Sequence, residues 1–316
     1  MTRKIEVVPY DSNWPRLFEV ESTKIKQALR ESCIDVHHVG STAVPGLCAK
    51  PKIDIIAVVR EGGILANDLE TIGYTNKGEF NIPFRFAYTK RGDLPEVNLH
   101  VFEQGNPEIE LNLLFRDYLR NHLEAREEYA ALKLELVKQD ALHEKKNAMF
   151  SGYNLGKDDF IKKILKQTGF NGLCMRLCTH YDEWEAARNF RQKYFFDKVP
   201  VEDPYTWTFD HKDHLHLVLY QGTNIVGYAH IQLWSDQRAA LRIIVIDEQL
   251  RGQGLGNHFL QLCERWIKEK GFKALQTQAS PDAYPFYCKY GYKEMPFNDP
   301  DGYEGDPRDI ELGKIL

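Results

Sequence analysis

The chain has 316 residues, of which 43% are hydrophobic and 28% charged, with a net charge of −5 and a pI near 6.1. That length favours two domains, and the charge balance provides no basic field to track a phosphate backbone, so nucleic acid is excluded as the expected partner. The acidic excess sits mostly in the second half. No apolar run approaches the roughly 20 residues that cross a bilayer, and the opening Met-Thr-Arg-Lys-Ile-Glu does not read as a signal peptide. The expectation is a cytoplasmic protein with no membrane partner; the oligomeric state stays open.

Taken in chain order, residues 12–31 read as a helix, with Ser12 as its cap and Pro15 in its first turn. Val36 to Val39 is a short strand ending in Gly40-Ser41-Thr42, Ile53 to Val59 a second strand and Val97 to Phe102 a third. Leu111, Leu114, Phe115, Tyr118 and Leu119 recur at helical spacing, and that helix breaks near Asn121-His122 before resuming to about Gln139. Asp158 to Lys166 is a further helix. Thr168-Gly-Phe-Asn-Gly172 punctuates the chain, and the domain boundary is placed there, giving domains at 1–168 and 172–316.

Beyond it, Leu173 to Cys178 is a strand and Asp182 to Phe195 a helix. Leu215 to Tyr220 and Ile225 to Trp234 are strands joined by Gln221-Gly-Thr-Asn224, a hairpin signal. His214 and His216 alternate with Leu215 and Leu217, which reads as the polar face of a strand. Leu241 to Ile246 is an apolar strand, Leu255 to Lys270 an amphipathic helix, Ala274 to Ala279 a strand, Ala283 to Lys289 a short helix and Asp309 to Leu312 a last strand. The cysteines (Cys33, Cys48, Cys174, Cys178, Cys263 and Cys288) form no C-x-x-C pair and read as free thiols, and the histidines do not reach metal-ligand spacing with them.

The stretch Val245-Ile-Asp-Glu-Gln-Leu-Arg251-Gly-Gln-Gly254-Leu-Gly256 carries the chemistry. A strand ends, a Gly-rich turn follows and an amphipathic helix begins. That order places free backbone N–H groups at the positive end of a helix, a phosphate site, and glycine lets a diphosphate approach closely. Walker A fails for want of G-K-[ST]. The dinucleotide fingerprint fails at its third glycine, where Asn257 stands. An accidental Gly-rich turn is the bland alternative. The pattern R-x-x-G-x-G of Arg251, Gly254 and Gly256 resembles the diphosphate loop of the GNAT N-acetyltransferase superfamily. Ser280-Pro-Asp-Ala283-Tyr-Pro-Phe286-Tyr287-Cys-Lys-Tyr-Gly291-Tyr292 resembles a second element of that superfamily, with Ser280 and Tyr292 departing from its usual Asn and Phe. The resemblance covers residues 172–316.

It implies acetyl-CoA as cofactor. Val245 and Ile246 would face its pantetheine arm, and the segment Leu250, Arg251, Gly252, Gln253, Gly254, Leu255 and Gly256 would cradle its diphosphate. Tyr287 would be the general acid toward the departing thiolate, the alternative being a core aromatic. A phenol in contact with a thiolate of somewhat lower pKa is a competent acid. The superfamily's usual strand Glu is missing from Arg238-Ala-Ala-Leu-Arg242, so Asp236, His230 or ordered water must take the amine's proton. The acceptor is expected to be a primary amine on a small molecule or peptide. Trp207, Trp234, Tyr205 and Tyr303 with Asp299, Asp301, Glu304 and Asp306 suit a cation, or else form a surface hairpin.

In the first half, Pro9-Tyr-Asp-Ser-Asn-Trp14, His38-Val-Gly-Ser-Thr-Ala-Val-Pro-Gly-Leu47, Ala49-Lys-Pro-Lys-Ile-Asp-Ile55, Leu99-His-Val-Phe102, Phe115-Arg-Asp-Tyr-Leu-Arg120 and Tyr129-Ala-Ala-Leu-Lys133 resemble the GrpB family over about residues 5–166. That family resembles polymerase-β-type nucleotidyltransferases, in which Gly-Ser admits a nucleotide phosphate and paired carboxylates hold metal. Gly40, Ser41 and Asp54 fit the spacing, but Ile56 stands where the second carboxylate belongs, and Asn98 departs from the family's H-L-H. Lys50, Asp54 and His100 complete the candidate site, with Glu103 as a candidate third carboxylate. Nucleotide and Mg would be its cofactors, and Asp54 the one metal ligand in view.

The reading is an α/β protein with mixed sheets: a nucleotidyltransferase-like N-terminal domain and a GNAT-fold C-terminal domain. Its expected reaction is acetyl transfer to a primary amine by direct attack. The alternatives are nucleotidyl transfer centred on the first domain and a non-catalytic CoA- or nucleotide-binding protein.

Overall fold

Alternating and helical apolar spacing produce two separate sheets in a computed structural model that describes residues 5–62, 66–92, 96–140, 152–197, 202–302 and 305–316. The chain divides into two compact units, Met1–Cys174 and Met175–Leu316.

In the first unit, strands β1 (Cys33–Val39), β2 (Lys52–Val59), β3 (Thr75–Gly78), β4 (Phe86–Lys90) and β5 (Glu96–Glu103) form a sheet in the order β1-β2-β5-β4-β3. β2 and β5 run parallel; the other neighbours are antiparallel. The period of two along β2 sends Ile53, Ile55, Ala57 and Val59 to one face, where they pack with Trp14, Ile25 and Leu29 of α1 (Trp14–Leu29). Ile56 and Val58 go to the other face with Val39 and Phe102. The helical stretch predicted from Leu111 starts earlier, as α3 (Pro107–Asn121), because Asn106 caps it by accepting from Glu108 N at 3.0 Å. It breaks at His122 and continues as α4 (Leu123–Asp140). The short α2 (Ala66–Glu70), α5 (Gly152–Leu155) and α6 (Asp158–Thr168) complete the unit's described helices. Tyr129 and Phe160 stack at 4.9 Å and tie α4 to α6.

The second sheet has the order β11-β12-β10-β9-β8-β7-β6, from β6 (Leu173–Leu177), β7 (His214–Gln221), β8 (Asn224–Leu233), β9 (Arg238–Ile246), β10 (Ala274–Ala279), β11 (Lys293–Glu294) and β12 (Ile310–Ile315). α7 (Tyr181–Arg191) runs into a π-helical segment, Gln192–Phe196. α8 (Leu255–Glu269) buries Leu255, Phe259, Cys263, Trp266 and Ile267, while Leu262 of the same apolar stripe is only half-buried, and α9 spans Tyr284–Lys289. All six cysteines are free. Among the described residues no helix is long and apolar enough to cross a membrane.

One expectation is corrected here. His214 and His216 do not form a polar strand face toward water. Both are buried, as is His230 opposite them on β8, and hydrogen bonds described below engage both ring nitrogens of His216 and His230 and the Nδ1 of His214.

Candidate functional site

β9 and β10 are parallel neighbours in the second sheet, and they pair at Ala274↔Arg238, Leu275↔Ala239 and Gln276↔Ala240. Beyond Ala240 they part, while β9 keeps its partner β8 as far as Ile246. One residue of β9, Arg242, is bulged out of that ladder between Leu241 and Ile243. Thr277 stands at the fork and donates from Oγ1 to Leu241 O at 2.9 Å. Tyr287 of α9 lies against the same Thr277, whose hydroxyl opposes part of the rise that burial imposes on the phenol's pKa.

At the open end of the fork lies a cavity of about 490 Å³. Its walls include Ile244, Val245, Ile246, Arg251, Gly252, Gly254, Gly256, Asn257 and Tyr287. Gly252 (φ +80°) and Gly254 (φ +84°) occupy the left-handed region, and a Cβ on either would enter open space. Glycine is thus demanded by backbone conformation, and the space before it is left for a ligand. The first intrahelical bond of α8 runs from His258 N to Gly254 O at 3.0 Å, so the amides ahead of it point out of the helix. No acidic side chain occupies that first turn. Asn257 Oδ1 is buried there without a hydrogen-bond partner. An outward-facing amide nest, an uncharged first turn and an orphaned acceptor fit a diphosphate-bearing cofactor with donors of its own.

Some predicted residues do not reach this cavity. Leu250 spends its amide on Asp247 O at 2.9 Å. Leu255 turns into the core, and Gln253 is exposed beyond the lining. Tyr287 is buried with its pKa pushed up to about 12, chiefly by burial. Asp236 sits in the β8–β9 turn, exposed, where Arg238 Nε binds its carboxylate at 2.7 Å; it lines neither this cavity nor the next.

A second cavity, of about 320 Å³, is lined from β9 by Arg242 and Ile243, the residues just before the three that line the first. Tyr205 and Trp207 line it as expected, joined by Phe195 and Phe196. Trp234 does not; it packs with Ala240 and Phe297 in the core. The expected acidic lining is also absent among the described residues. Asp299 is buried against Arg242, Asp301 accepts from Gln232 at 2.5 Å, and Asp306 binds Arg308 in solvent. Tyr303 and Glu304 lie outside the described residues.

Behind this cavity runs a buried polar network. Asp203 holds Arg191 through two bonds, at 2.5 and 3.0 Å. Arg191 Nη1 faces His230 Nδ1 at 3.3 Å, and His230 Nε2 faces His214 Nδ1 at 2.8 Å. Tyr228 Oη meets His216 Nδ1 at 2.6 Å, and His216 Nε2 donates to Thr208 O at 3.1 Å. Both nitrogens of His230 are therefore committed. Burial, more than the neighbouring charges, holds its pKa well below the usual range. His230 is not placed to take a proton from an amine. No signal in the sequence pointed to Arg191, because its partner Asp203 lies beyond the helix that carries it.

In the first unit, Gly40 has φ +69°, and a Cβ there would come within 2.5 Å of Asp54 Oδ2. Conformation and close approach both require glycine. The family motifs converge on this loop. Arg116 Nη1 donates to His38 O at 3.0 Å, Arg120 Nε to Ala43 O at 2.9 Å, and Lys133 Nζ to Ser41 Oγ at 3.2 Å and to Cys48 O. Burial lowers the Lys133 pKa to about 8. Lys50 and Lys157 place their Nζ atoms 4.0 and 4.7 Å from the centroid of the Tyr153 ring. Asn98 Nδ2 donates to Asp54 Oδ1 at 2.7 Å. Withdrawal from water raises the Asp54 pKa, against the opposing pull of Asn98 and Lys157. His100, two positions beyond Asn98 on the same face of β5, is half-buried, and its pKa is pushed down to about 3 by burial and Arg85.

These residues do not fit a two-metal site. Ile56 is core, and Asp54 spends an oxygen on an amide donor. Glu103 pairs in register with Val59, five positions from Asp54 along β2 and so roughly 17 Å away. The raised pKa makes a signed prediction. A carboxyl that folding makes less acidic costs stability above its ordinary range and nothing below it. Asp54→Asn should therefore stabilise the first unit by about 1 kcal/mol at pH 7 and leave it unchanged near pH 3. Thermal unfolding at both values checks this, and a loss at pH 7 would refute it.

Residues 4–167 match the family described as "GrpB protein", just over half of the chain, and residues 182–304 match "Acetyltransferase (GNAT) domain". The UPF0157 protein YqkA of Bacillus subtilis is 38% identical over 165 residues, 51% of this chain, which spans less than half (46%) of YqkA's own length. The crystal structure of conserved protein GrpB from Enterococcus faecalis is 34% identical, covering 52% of this chain and 96% of that one, at a TM-score of 0.45. That of an acetyltransferase of the GNAT family from Staphylococcus aureus Mu50 is 16% identical, covering 46% and 99%, at a TM-score of 0.39. The chain belongs to the GrpB family through its N-terminal domain, which is followed here by a GNAT acetyltransferase domain.

Proposed function

We propose that the protein transfers an acetyl group from acetyl-CoA to a primary amine by direct attack, in the C-terminal domain. The observation that carries this reading is the fork: two parallel strands that part beyond Ala240, with a glycine turn and an outward-facing helix amide nest at the open end. Acetyl-CoA would supply an activated acetyl as its thioester. Amides from Gly252 to Asn257 would hold the diphosphate, and the free edge of β9 at Val245 and Ile246 would pair with the pantetheine arm. The acceptor nitrogen forms an N–C bond as the C–S bond breaks. The ammonium proton would leave beforehand to water, and the second N–H proton would follow it to water once the N–C bond has formed, as Asp236 is exposed in a turn and both nitrogens of His230 are engaged. Tyr287 would protonate the departing sulfur and recover its proton from solvent.

Calorimetry with acetyl-CoA, compared with ATP plus magnesium, tests the assignment. Acetyl-CoA should bind and release thiol when amines are supplied; failure to bind it ends this reading. Tyr287→Phe should lower kcat by about 100-fold or more, the usual contribution of a general acid, with little change in the KM for acetyl-CoA. Full turnover by that variant would remove the acid role and leave the reaction in place. For the N-terminal domain we infer binding of a ligand at the Ser41–Lys50–Asp54 cluster rather than metal-dependent nucleotidyl transfer.

A further inference from the structure

The proton positions behind the second cavity follow from which groups face each other. Arg191 can only donate, so His230 Nδ1, at 3.3 Å, must accept. A neutral His230 then carries its proton on Nε2 and donates it to His214 Nδ1 at 2.8 Å. His214 in turn carries its proton on Nε2, which has no hydrogen-bond partner among the described residues while its ring lines the cavity. Reversing the chain would set two donors against each other at Arg191. Asp203 anchors that guanidinium through two bonds and so fixes the polarity of the whole relay. The cavity is offered an N–H here, not a lone pair.

The rest of the lining agrees. Its polar side contains the guanidiniums of Arg191 and Arg242, whose carboxylate partners Asp203 and Asp299 are buried and do not line the cavity. Facing them, Phe195, Tyr205 and Trp207 leave 42%, 42% and 43% of their surfaces exposed, unusual for side chains of this size unless something covers them. A volume of about 320 Å³ suits one small molecule.

We propose that the acceptor is a free α-amino acid with a planar apolar side chain, whose carboxylate is read by His214 Nε2–H beside Arg242 and whose side chain lies on Tyr205 and Trp207. This rests on the acetyl-transfer reading above and sharpens it. A polycationic amine, which the acidic residues of the sequence suggested, would meet donors and guanidiniums instead of free carboxylates.

The test uses the full chain with acetyl-CoA and follows thiol release. L-tryptophan and L-phenylalanine should have kcat/KM values at least tenfold above those of tryptamine and phenethylamine, which lack the carboxylate, and above that of L-alanine, which lacks the ring. Spermidine should be a poor substrate. His214→Ala should raise the KM for the two aromatic amino acids about tenfold more than for their decarboxylated amines, and His214→Gln, which restores an N–H, should recover part of the difference. Acetyl-CoA calorimetry on each variant verifies that the domain is folded. The proposal is overturned if spermidine or the decarboxylated amines are preferred, if His214→Ala affects both classes alike, or if acetyl-CoA binds and no aromatic amino acid is acetylated. Absence of acetyl-CoA binding to the unaltered chain would instead refute the acetyl-transfer reading itself.

Discussion

Gly254→Glu should weaken acetyl-CoA binding at least 100-fold, about 2.7 kcal/mol. Two effects add. Gly254 holds φ +84° as the N-cap of α8, where an L side chain is strained by roughly 1–2 kcal/mol. The new carboxylate would also enter the open space before the helix and put a negative charge where the amide nest favours an incoming anion. Gly254→Ala carries the same backbone strain without the charge, and its loss should be several-fold only. Calorimetric titration of both variants separates the terms. Equal binding by Gly254→Glu and the unaltered chain would show that this turn is not the diphosphate site.

Acid should destabilise the second unit steeply. His216 is buried with both nitrogens bonded, and its pKa is pushed down to about 3, first by burial and then by Arg191 and His214. In the unfolded chain it titrates near 6.5. A base whose folded pKa is depressed keeps its full contribution above the unfolded value and loses it as pH falls toward the folded one. The drop from 6.5 to about 3 amounts to about 5 kcal/mol at 1.36 kcal/mol per unit. His214, pushed down to about 4, and His230 act with the same sign. Against a typical stability of about 5–15 kcal/mol, that is enough to unfold the unit before pH 3. Four of the five tryptophans (Trp184, Trp207, Trp234 and Trp266) belong to this unit, so their fluorescence reports on it. The thermal midpoint should fall progressively between pH 6.5 and 4. His216→Gln, which keeps an acceptor for Tyr228 and a donor for Thr208, should flatten that fall. An unchanged pH dependence in the variant would assign the acid response elsewhere.

What the chain determined on its own was local. Strands β2, β5, β8, β9 and β10 and helices α1, α3 and α8 were legible because each carries a clear apolar period, and Gly252 and Gly254 were legible because a glycine turn between strand and helix has few other uses. β3 and β4 were not. Thr75–Gly78 is fully exposed and has no apolar pattern, so only pairing with Phe86–Lys90 makes it a strand. The site divided along the same line. Arg251, Gly254 and Tyr287 could be read from spacing, since one strand–turn–helix segment and one short helix carry them. Lys157 against Asp54, Asn98 beneath Gly40, Thr277 under Tyr287 and Arg191 behind His230 and His214 could not. These partners are separated by long stretches of chain and meet only when sheets and helices pack. The proton on His214 is the extreme case. It is fixed by the Arg191 guanidinium at the end of α7, reached through His230 in a hydrogen-bond chain, and no reading of His214 among its neighbours in the sequence could supply it. The sequence alone singled out the glycine turn ahead of α8; which side of each polar group faces the second cavity was decided by tertiary packing, because buried donors and acceptors must be matched across elements.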